Sequence, residues 1–504
     1  MRLPAAALAL LAALVGSGAA WAGREEVVVG SKAFPESWIL AEALADLAHA
    51  SGADAQHRIN LGGTELVDEA ARSGAIDAYP EYTGTIREVI LHAPNATDEQ
   101  VRARLAAEGL GMTESLGFED SYALAVSPTA ADRNGLRSIS DLAAHPALRA
   151  AFSHEFIGRR DGWPGLSARY GLAFGDLRAV EHPLAFEAIG AGRADVIDVY
   201  TTDPEIERLS LRVLDDDRGF FPRYDAVVVY RADLARRAPH SLEAMRRLVG
   251  RVDRRAMARA NAEVVTDGRS VAQAAGKLLE EALGPDAPVS AASAAGPSTI
   301  AAIVHDLARH LALVGASVLA AAIVGVPLGV AAARRRRVAA MVLGSAGVVQ
   351  AVPALALLAF LVPLAGVGVV SASVALFLYA LLPIVQGTCT GLAIIPASLT
   401  EAADALGLTP RAQLMRVHLP IASPSILAGI RTSAVITVGT ATIAALVGAG
   451  GLGDPILEGI ALRSAPLILR GAVPAAVLAL TAQGLLTWLE RAIVSPGLRL
   501  PPGG

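Results

Sequence analysis

Short apolar runs alternate with helical stretches over residues 24–290, whereas long unbroken apolar runs fill 305–495. In the first region Val27-Val28-Val29 predicts a buried strand, followed by a turn at Gly30-Ser31-Lys32. Pro35 suits the first position of a helix whose apolar face runs through Ile39, Leu40, Ala43, Leu44 and Leu47. Residues 122–126, 194–199 and 225–230 predict further strands, with helices between them. Strands alternating with helices imply α/β layers around a mostly parallel sheet. A stretch of roughly 260 residues is large for one such layer set, so two lobes enclosing a cleft are expected.

The second region predicts membrane spans near 309–333, 339–363, 369–394, 424–448 and 472–493, each close to the roughly 20 residues a bilayer requires. Residues 286–304 connect the two regions, and 286–297 are rich in Ala, Ser and Pro, as a linker is. Ahead of everything, residues 1–22 carry a charged start, an apolar core and Ala20-Trp21-Ala22 before Gly23, the pattern of a secretory signal peptide. The domain at 24–285 is then expected outside the cytoplasm, and the first span runs inward. Arg334-Arg335-Arg336-Arg337 follows that span, as the positive-inside rule demands. Counting onward puts 395–422 inside, 449–471 outside and the C-terminus inside.

Composition narrows the chemistry. Of the residues 53% are hydrophobic, and a formal net charge of -5 gives no reason to expect nucleic acid. Cys389 is the single cysteine, which rules out an internal disulfide or a cysteine metal site. His305 and His310 flank the first span five residues apart and read as interfacial, with nothing near to complete a metal site. Gly448-Ala449-Gly450-Gly451-Leu452-Gly453 fits a dinucleotide fingerprint in letters, but a span precedes it where a strand is needed. No phosphate-binding G-x-x-x-x-G-K-[ST] occurs anywhere, so ATP hydrolysis would fall to another protein. No nucleophile–base set points to an enzyme, and no cofactor is expected.

Several ordered blocks carry a family resemblance. Gly30-Ser31-Lys32-Ala33-Phe34-Pro35-Glu36-Ser37, Leu61-Gly62-Gly63-Thr64 and Asp77-Ala78-Tyr79-Pro80-Glu81-Tyr82-Thr83-Gly84-Thr85 resemble the binding proteins of osmoprotectant importers for glycine betaine, carnitine and choline. So do Arg159-Arg160-Asp161-Gly162, Asp198-Val199-Tyr200-Thr201-Thr202-Asp203 and Gly219-Phe220-Phe221-Pro222-Arg223-Tyr224-Asp225-Ala226. The resemblance implies a two-lobed domain like type II periplasmic binding proteins, with Tyr82, Tyr122, Tyr200 and Tyr224 at the positions of an aromatic cage and Thr85 at its border. Aromatic faces suit a quaternary ammonium, which donates no hydrogen bond, and each is worth roughly 0.5–2 kcal/mol once water is excluded. Tyr79 stands as the rival of Tyr82. Arg159, Lys32 and Thr64 are candidate donors for a carboxylate on the solute, or else members of ion pairs. Glu119-Asp120-Ser121 before Tyr122 departs from the polar pair usual in the family and adds negative charge.

In the 398–420 loop, Glu401-Ala402-Ala403, Gly407, Leu419 and Pro420 match the EAA motif of ABC importer permeases. In that family the motif is a short cytoplasmic helix seated in the ATPase subunit; small alanines permit close approach and Gly407 lets the chain turn. The expected architecture is a two-lobed α/β solute-binding domain followed by an all-α transmembrane permease domain of about five spans, 305–495. The resemblance implies a multi-pass protein of the bacterial inner membrane, surrounded by lipid and paired as a homodimer through its permease domain. Its partners would be a betaine-type small molecule and a separate ABC ATPase. Ergothioneine is the alternative cargo. A ligand-gated sensor or channel is the alternative class, and it would have no use for an EAA loop.

Overall fold

The structure is a computed structural model that describes residues 25–285, 287–288, 299–462 and 464–494; residues 1–22, read as a signal peptide, and most of the stretch read as linker lie outside the described residues. The chain divides into two compact units, the first built mainly from residues 22–297 with the short segment 458–464, the second mainly from 298–457 and 465–504.

Along the first unit the described strands are β1 (Glu26–Gly30), β2 (Asp54–Arg58), β3 (Ala78–Tyr82), β4 (Leu110–Met112), β5 (Tyr122–Val126), β6 (Arg149–Ser153), β7 (Asp176–Val180), β8 (Val196–Tyr200), β9 (Arg212–Val213) and β10 (Ala226–Arg231). They form two five-stranded sheets, ordered β2-β1-β3-β10-β4 and β7-β6-β8-β5-β9. Each sheet mixes parallel pairs (β1 with β2 and β3; β6 with β7 and β8) with antiparallel ones built on β10 or β5. Val27, Val28 and Val29 are all buried, because helices cover both faces of a parallel strand and leave no polar side. The two lobes of the sequence expectation are these two sheets.

Helix α1 (Pro35–Ala50) starts on its proline and buries Trp38, Ile39, Leu40, Leu44 and Leu47. Helix α2 (Thr64–Arg72) lies in the same lobe, and α3 (His182–Gly190) packs on β6 and β8 in the other. Near the end of the unit, α4 (Arg254–Val265) and α5 (Val271–Leu283) return to pack on α1 and close the first lobe. The chain crosses between lobes twice, at 113–121 and 214–225. These crossings run side by side: Glu119 bridges Asp225, and the Asp120 N–H donates to the Tyr224 carbonyl at 3.1 Å. Two segments bonded to each other restrain a hinge more firmly than separate loops do, because each supplies the other's backbone partners.

The second unit is helical. Helix α6 (Thr299–Arg334) begins within the stretch read as linker. Helices α7 (Arg336–Ala351) and α8 (Ala354–Ala365) meet at a bend of 99° where one straight span, 339–363, was expected. Pro353 accounts for the break: it has no N–H to donate and holds Val352 extended, at ψ 129. Helices α9 (Val369–Ala393), α10 (Ala397–Ala405), α11 (Leu419–Ala441) and α12 (Ala465–Ile493) follow. Among the described residues four helices are long and apolar enough to cross a membrane, or five spans if the bent pair counts as one. Helix α9 packs against α6 and α11, and α11 against α12. His310 is fully buried, with a ring nitrogen 3.1 Å from the Val438 carbonyl on α11. That carbonyl gives the imidazole a partner, which makes its burial tolerable.

Candidate solute-binding site and coupling loop

The ends of β3, β5 and β8 meet where the two crossings leave the lobes, and each places a tyrosine there. Tyr122 and Tyr200 stand opposite each other in the antiparallel register of β5 and β8. Their ring centroids are 5.0 Å apart and their hydroxyl oxygens 3.4 Å. Tyr224, on the second crossing, meets Tyr122 edge-on at 5.8 Å. Tyr82 ends β3 on the first lobe, and Phe34 spans the gap, 6.4 Å from Tyr82 and 6.0 Å from Tyr200. Phe156 and Phe221 complete the far side against Tyr122, at 5.3 and 6.4 Å. Side chains alternate along a strand, so Tyr79 faces away from Tyr82, and its hydroxyl donates to Asp68 on α2 at 3.1 Å. Tyr82 is the member of that pair that joins the rings.

Burial pushes the hydroxyl pKa of Tyr82, Tyr122 and Tyr200 well above the usual phenol value, so these rings stay neutral. The Tyr82 hydroxyl donates to Glu36 at 2.6 Å and the Tyr224 hydroxyl to Asp161 at 2.6 Å. With those bonds made, each ring presents chiefly its π-face.

The candidate carboxylate donors are engaged elsewhere. Lys32 lies 5.5 Å from the Tyr82 ring centroid, with its ammonium 2.5 Å from Glu81. Arg159 sits 5.3 Å over the Tyr122 ring and pairs with Asp161 at 2.5 Å and Glu155 at 3.0 Å. It also donates across the cleft to the Thr85 hydroxyl at 3.3 Å. Burial alone would raise the Asp161 pKa, but Arg159 and the Tyr224 hydroxyl overcome it and hold the carboxyl below its usual range. Thr64 is buried at the start of α2, and its hydroxyl has no partner among the described residues.

Beside Tyr200, the His182 ring lies tilted at 4.5 Å between centroids and contacts Asp203 at 3.0 Å and Asp198 at 3.7 Å. Burial lowers its pKa, but the two aspartates more than offset this and leave it well above the usual imidazole value. Phe34, Glu36, Asp161 and His182 were not singled out from sequence. Phe34 and Glu36 lie inside the Gly30–Ser37 block and Asp161 inside the Arg159–Gly162 block that carry the family resemblance, which is the available signal; His182 lies outside every such block.

In the second unit the EAA residues lie on a short helix, a turn and the start of a long helix. Helix α10 holds Glu401 and Ala402 exposed and buries Ala403. Gly407 turns the chain at φ +71, a left-handed value that costs a side chain about 1–2 kcal/mol. The Gln413 amide donates to Asp404 at 2.5 Å and to the Leu408 carbonyl at 3.0 Å, bracing the loop, and Leu419 and Pro420 open α11. Leu406 and Met415 remain 78% and 58% exposed beside it, an apolar surface on a braced loop.

A two-lobed α/β domain with an aromatic cleft, joined to a helical membrane unit with a braced EAA loop, defines a solute-binding protein fused to the permease of an ABC importer. The chain belongs to the family described as the substrate-binding domain of ABC-type glycine betaine transport systems, whose model matches residues 25–281. Residues 325–498 match the inner-membrane component of binding-protein-dependent transport systems. The choline transport system permease protein OpuBB of Bacillus subtilis is 40% identical over 197 residues, 39% of this chain and 91% of that protein. The osmoprotectant import permease protein OsmW of Salmonella typhimurium is 40% identical over 196 residues, 38% of this chain and 91% of its own length. Among solved structures, a glycine betaine/carnitine/choline ABC transporter protein is 27% identical with a TM-score of 0.45, covering 51% of this chain and 98% of that one.

Proposed function

We propose that the chain imports a quaternary-ammonium or betaine-type solute, with its first unit binding the solute outside the cytoplasm and its second unit passing it inward. The observation that carries this reading is the convergence of Tyr82, Tyr122, Tyr200 and Tyr224 with Phe34 from both lobes onto one cleft. A cation without N–H groups cannot donate a hydrogen bond and gains from the ring faces, while the acids around them, Glu36 on Tyr82 and Asp161 on Tyr224, do not oppose a positive charge. The arginine run at 334–337 supports the orientation with the binding domain outside. The exposed Glu401, Leu406 and Met415 support a separate ATPase docking at α10, and importers of this family work with paired permeases, which makes this chain a homodimer in lipid. Tethering the binding unit holds it at roughly millimolar effective concentration over its own permease.

Calorimetry on the full chain in lipid nanodiscs, with choline, glycine betaine, carnitine and ergothioneine, tests the cargo. Binding of at least one and its loss in Tyr200→Ala are expected. Binding only of a sugar or an anion, or an unchanged affinity in Tyr200→Ala, overturns the reading.

A further inference from the structure

Glu36 is used by neither the cage nor the coupling loop, yet it is among the most completely bonded side chains of the cleft. It lies in the first turn of α1 on the first lobe and is buried. One carboxylate oxygen accepts the Tyr82 hydroxyl at 2.6 Å. The other accepts the Thr202 hydroxyl at 2.6 Å and the Asn261 amide at 2.9 Å. These three donors come from three places: Tyr82 from β3, Thr202 from the turn after β8 on the opposite lobe, and Asn261 from α4. The same turn is anchored to the first crossing, where the Thr202 N–H donates to Asp120 at 3.1 Å and the Thr201 N–H to the Ser121 carbonyl at 3.0 Å. It also carries Tyr200, whose N–H donates to Asp203 at 2.7 Å.

We infer that Glu36 is a positioning residue that fixes the spacing of the cage across the cleft, tying the Tyr82 ring of one lobe to the Tyr200 turn of the other. The inference rests on the reading of the ring cluster as the solute site. The physical case is that a buried carboxylate accepting three bonds has no slack: withdrawing any donor leaves charge unsatisfied in an apolar setting. Tyr82 and Thr202 touch different oxygens of one carboxylate, so a solute that needs both rings at one separation needs both bonds at once.

The test uses the full chain in nanodiscs, with choline and glycine betaine as probes. Thr202→Val and Tyr82→Phe each remove one hydroxyl and keep the rest of the side chain. Each is expected to lower solute affinity about tenfold, as loss of a hydrogen bond to a charge does. Thr202→Ser keeps the hydroxyl and retains affinity. The double variant loses no more than about threefold beyond the weaker-binding single variant, because either break already frees the spacing. Wild-type affinity in Thr202→Val, or losses that multiply in the double variant, overturns the inference while leaving the cage reading intact. If the wild type binds carnitine or ergothioneine instead, the same variants are read with that solute; if it binds none of the four, the cage reading fails, and Glu36 is judged by label pairs at Ala107 and Ala173 on the two lobes in a Cys389→Ser background. Thr202→Val then broadens the distance distribution, and an unchanged distribution overturns the inference.

Discussion

The ring of Tyr224 lies so close over Gly84 that a Cβ at residue 84 would stand 2.4 Å from its Cδ1. Gly84 sits between Thr83 and Thr85 at the end of β3, so the first lobe is shaped to receive a ring carried by the second crossing. Gly84→Ala is expected to push Tyr224 out of its edge-on contact with Tyr122 and lower solute affinity at least tenfold, with a small change in melting temperature. The backbone is not what forbids alanine here, because residue 84 lies in an ordinary helical turn. Calorimetry alongside thermal unfolding checks this; unchanged affinity would show that Tyr224 takes no part in the cage.

Asp161 joins Arg159 to Tyr224 at the ring cluster. It accepts from Arg159 at 2.9 and 2.5 Å and from the Tyr224 hydroxyl at 2.6 Å. Asp161→Asn leaves a buried guanidinium with one acid fewer, a change that costs about 3 kcal/mol when a buried pair is broken. Thermal unfolding of the full chain is expected to show a drop of about 6 °C or more in its binding-unit transition, together with weaker solute binding. A loss in stability without a loss in affinity would separate Arg159 from the site.

How much of this was legible in the sequence depends on what the residues interact with. Val27-Val28-Val29 and the strand at 122–126 were readable because burial on a sheet demands a run of apolar residues, whatever lies far along the chain. Tyr82 over Tyr79 became decidable only with the strand's facing known, since both sit in one block. Phe34 lies in a matching block, yet in sequence alone a single phenylalanine before a helix reads equally well as core. Glu36 was illegible in a stronger sense: an acid in the first turn of a helix has a local reason to be there. Its actual partners, Thr202 and Asn261, are 166 and 225 positions away. The bend between α7 and α8 was readable at Pro353 and was passed over in favour of apolar length.

Three buried groups push the pH dependence of the binding unit in one direction. Burial raises the Glu36 pKa, and burial with the charge of Glu36 holds Asp120 well above its usual range. His182 is raised by Asp203 and Asp198 against its own burial. In each case the folded protein holds its proton more tightly than the unfolded chain. The stabilisation from His182 is therefore complete below the free imidazole value of about 6.5 and is lost as pH rises through the higher folded value. The raised carboxylates likewise disfavour the fold as pH climbs past their unfolded values. Melting temperature is expected to fall from pH 6 to pH 8, with a shallower slope in His182→Gln. A rise over that interval, or an unchanged slope in the variant, would contradict the assignment.

The coupling loop offers a test that leaves the solute site untouched. Leu406 projects from the end of α10 with 78% of its surface exposed, one residue before the left-handed turn at Gly407. Exposed leucine on a braced loop has no folding role to lose, so Leu406→Asp should leave thermal unfolding and solute binding as they were. If the ATPase seats on this loop, the same change forces a carboxylate into an apolar contact without a partner, a cost of several kcal/mol. Co-purification with the ATPase should fall at least a hundredfold, and solute-stimulated ATP hydrolysis with it. Glu401→Lys, which reverses the exposed charge one helical turn earlier, should weaken the same complex in a salt-dependent way, whereas the Leu406→Asp defect persists at high salt. Retention of the ATPase by both variants would move the docking surface away from α10.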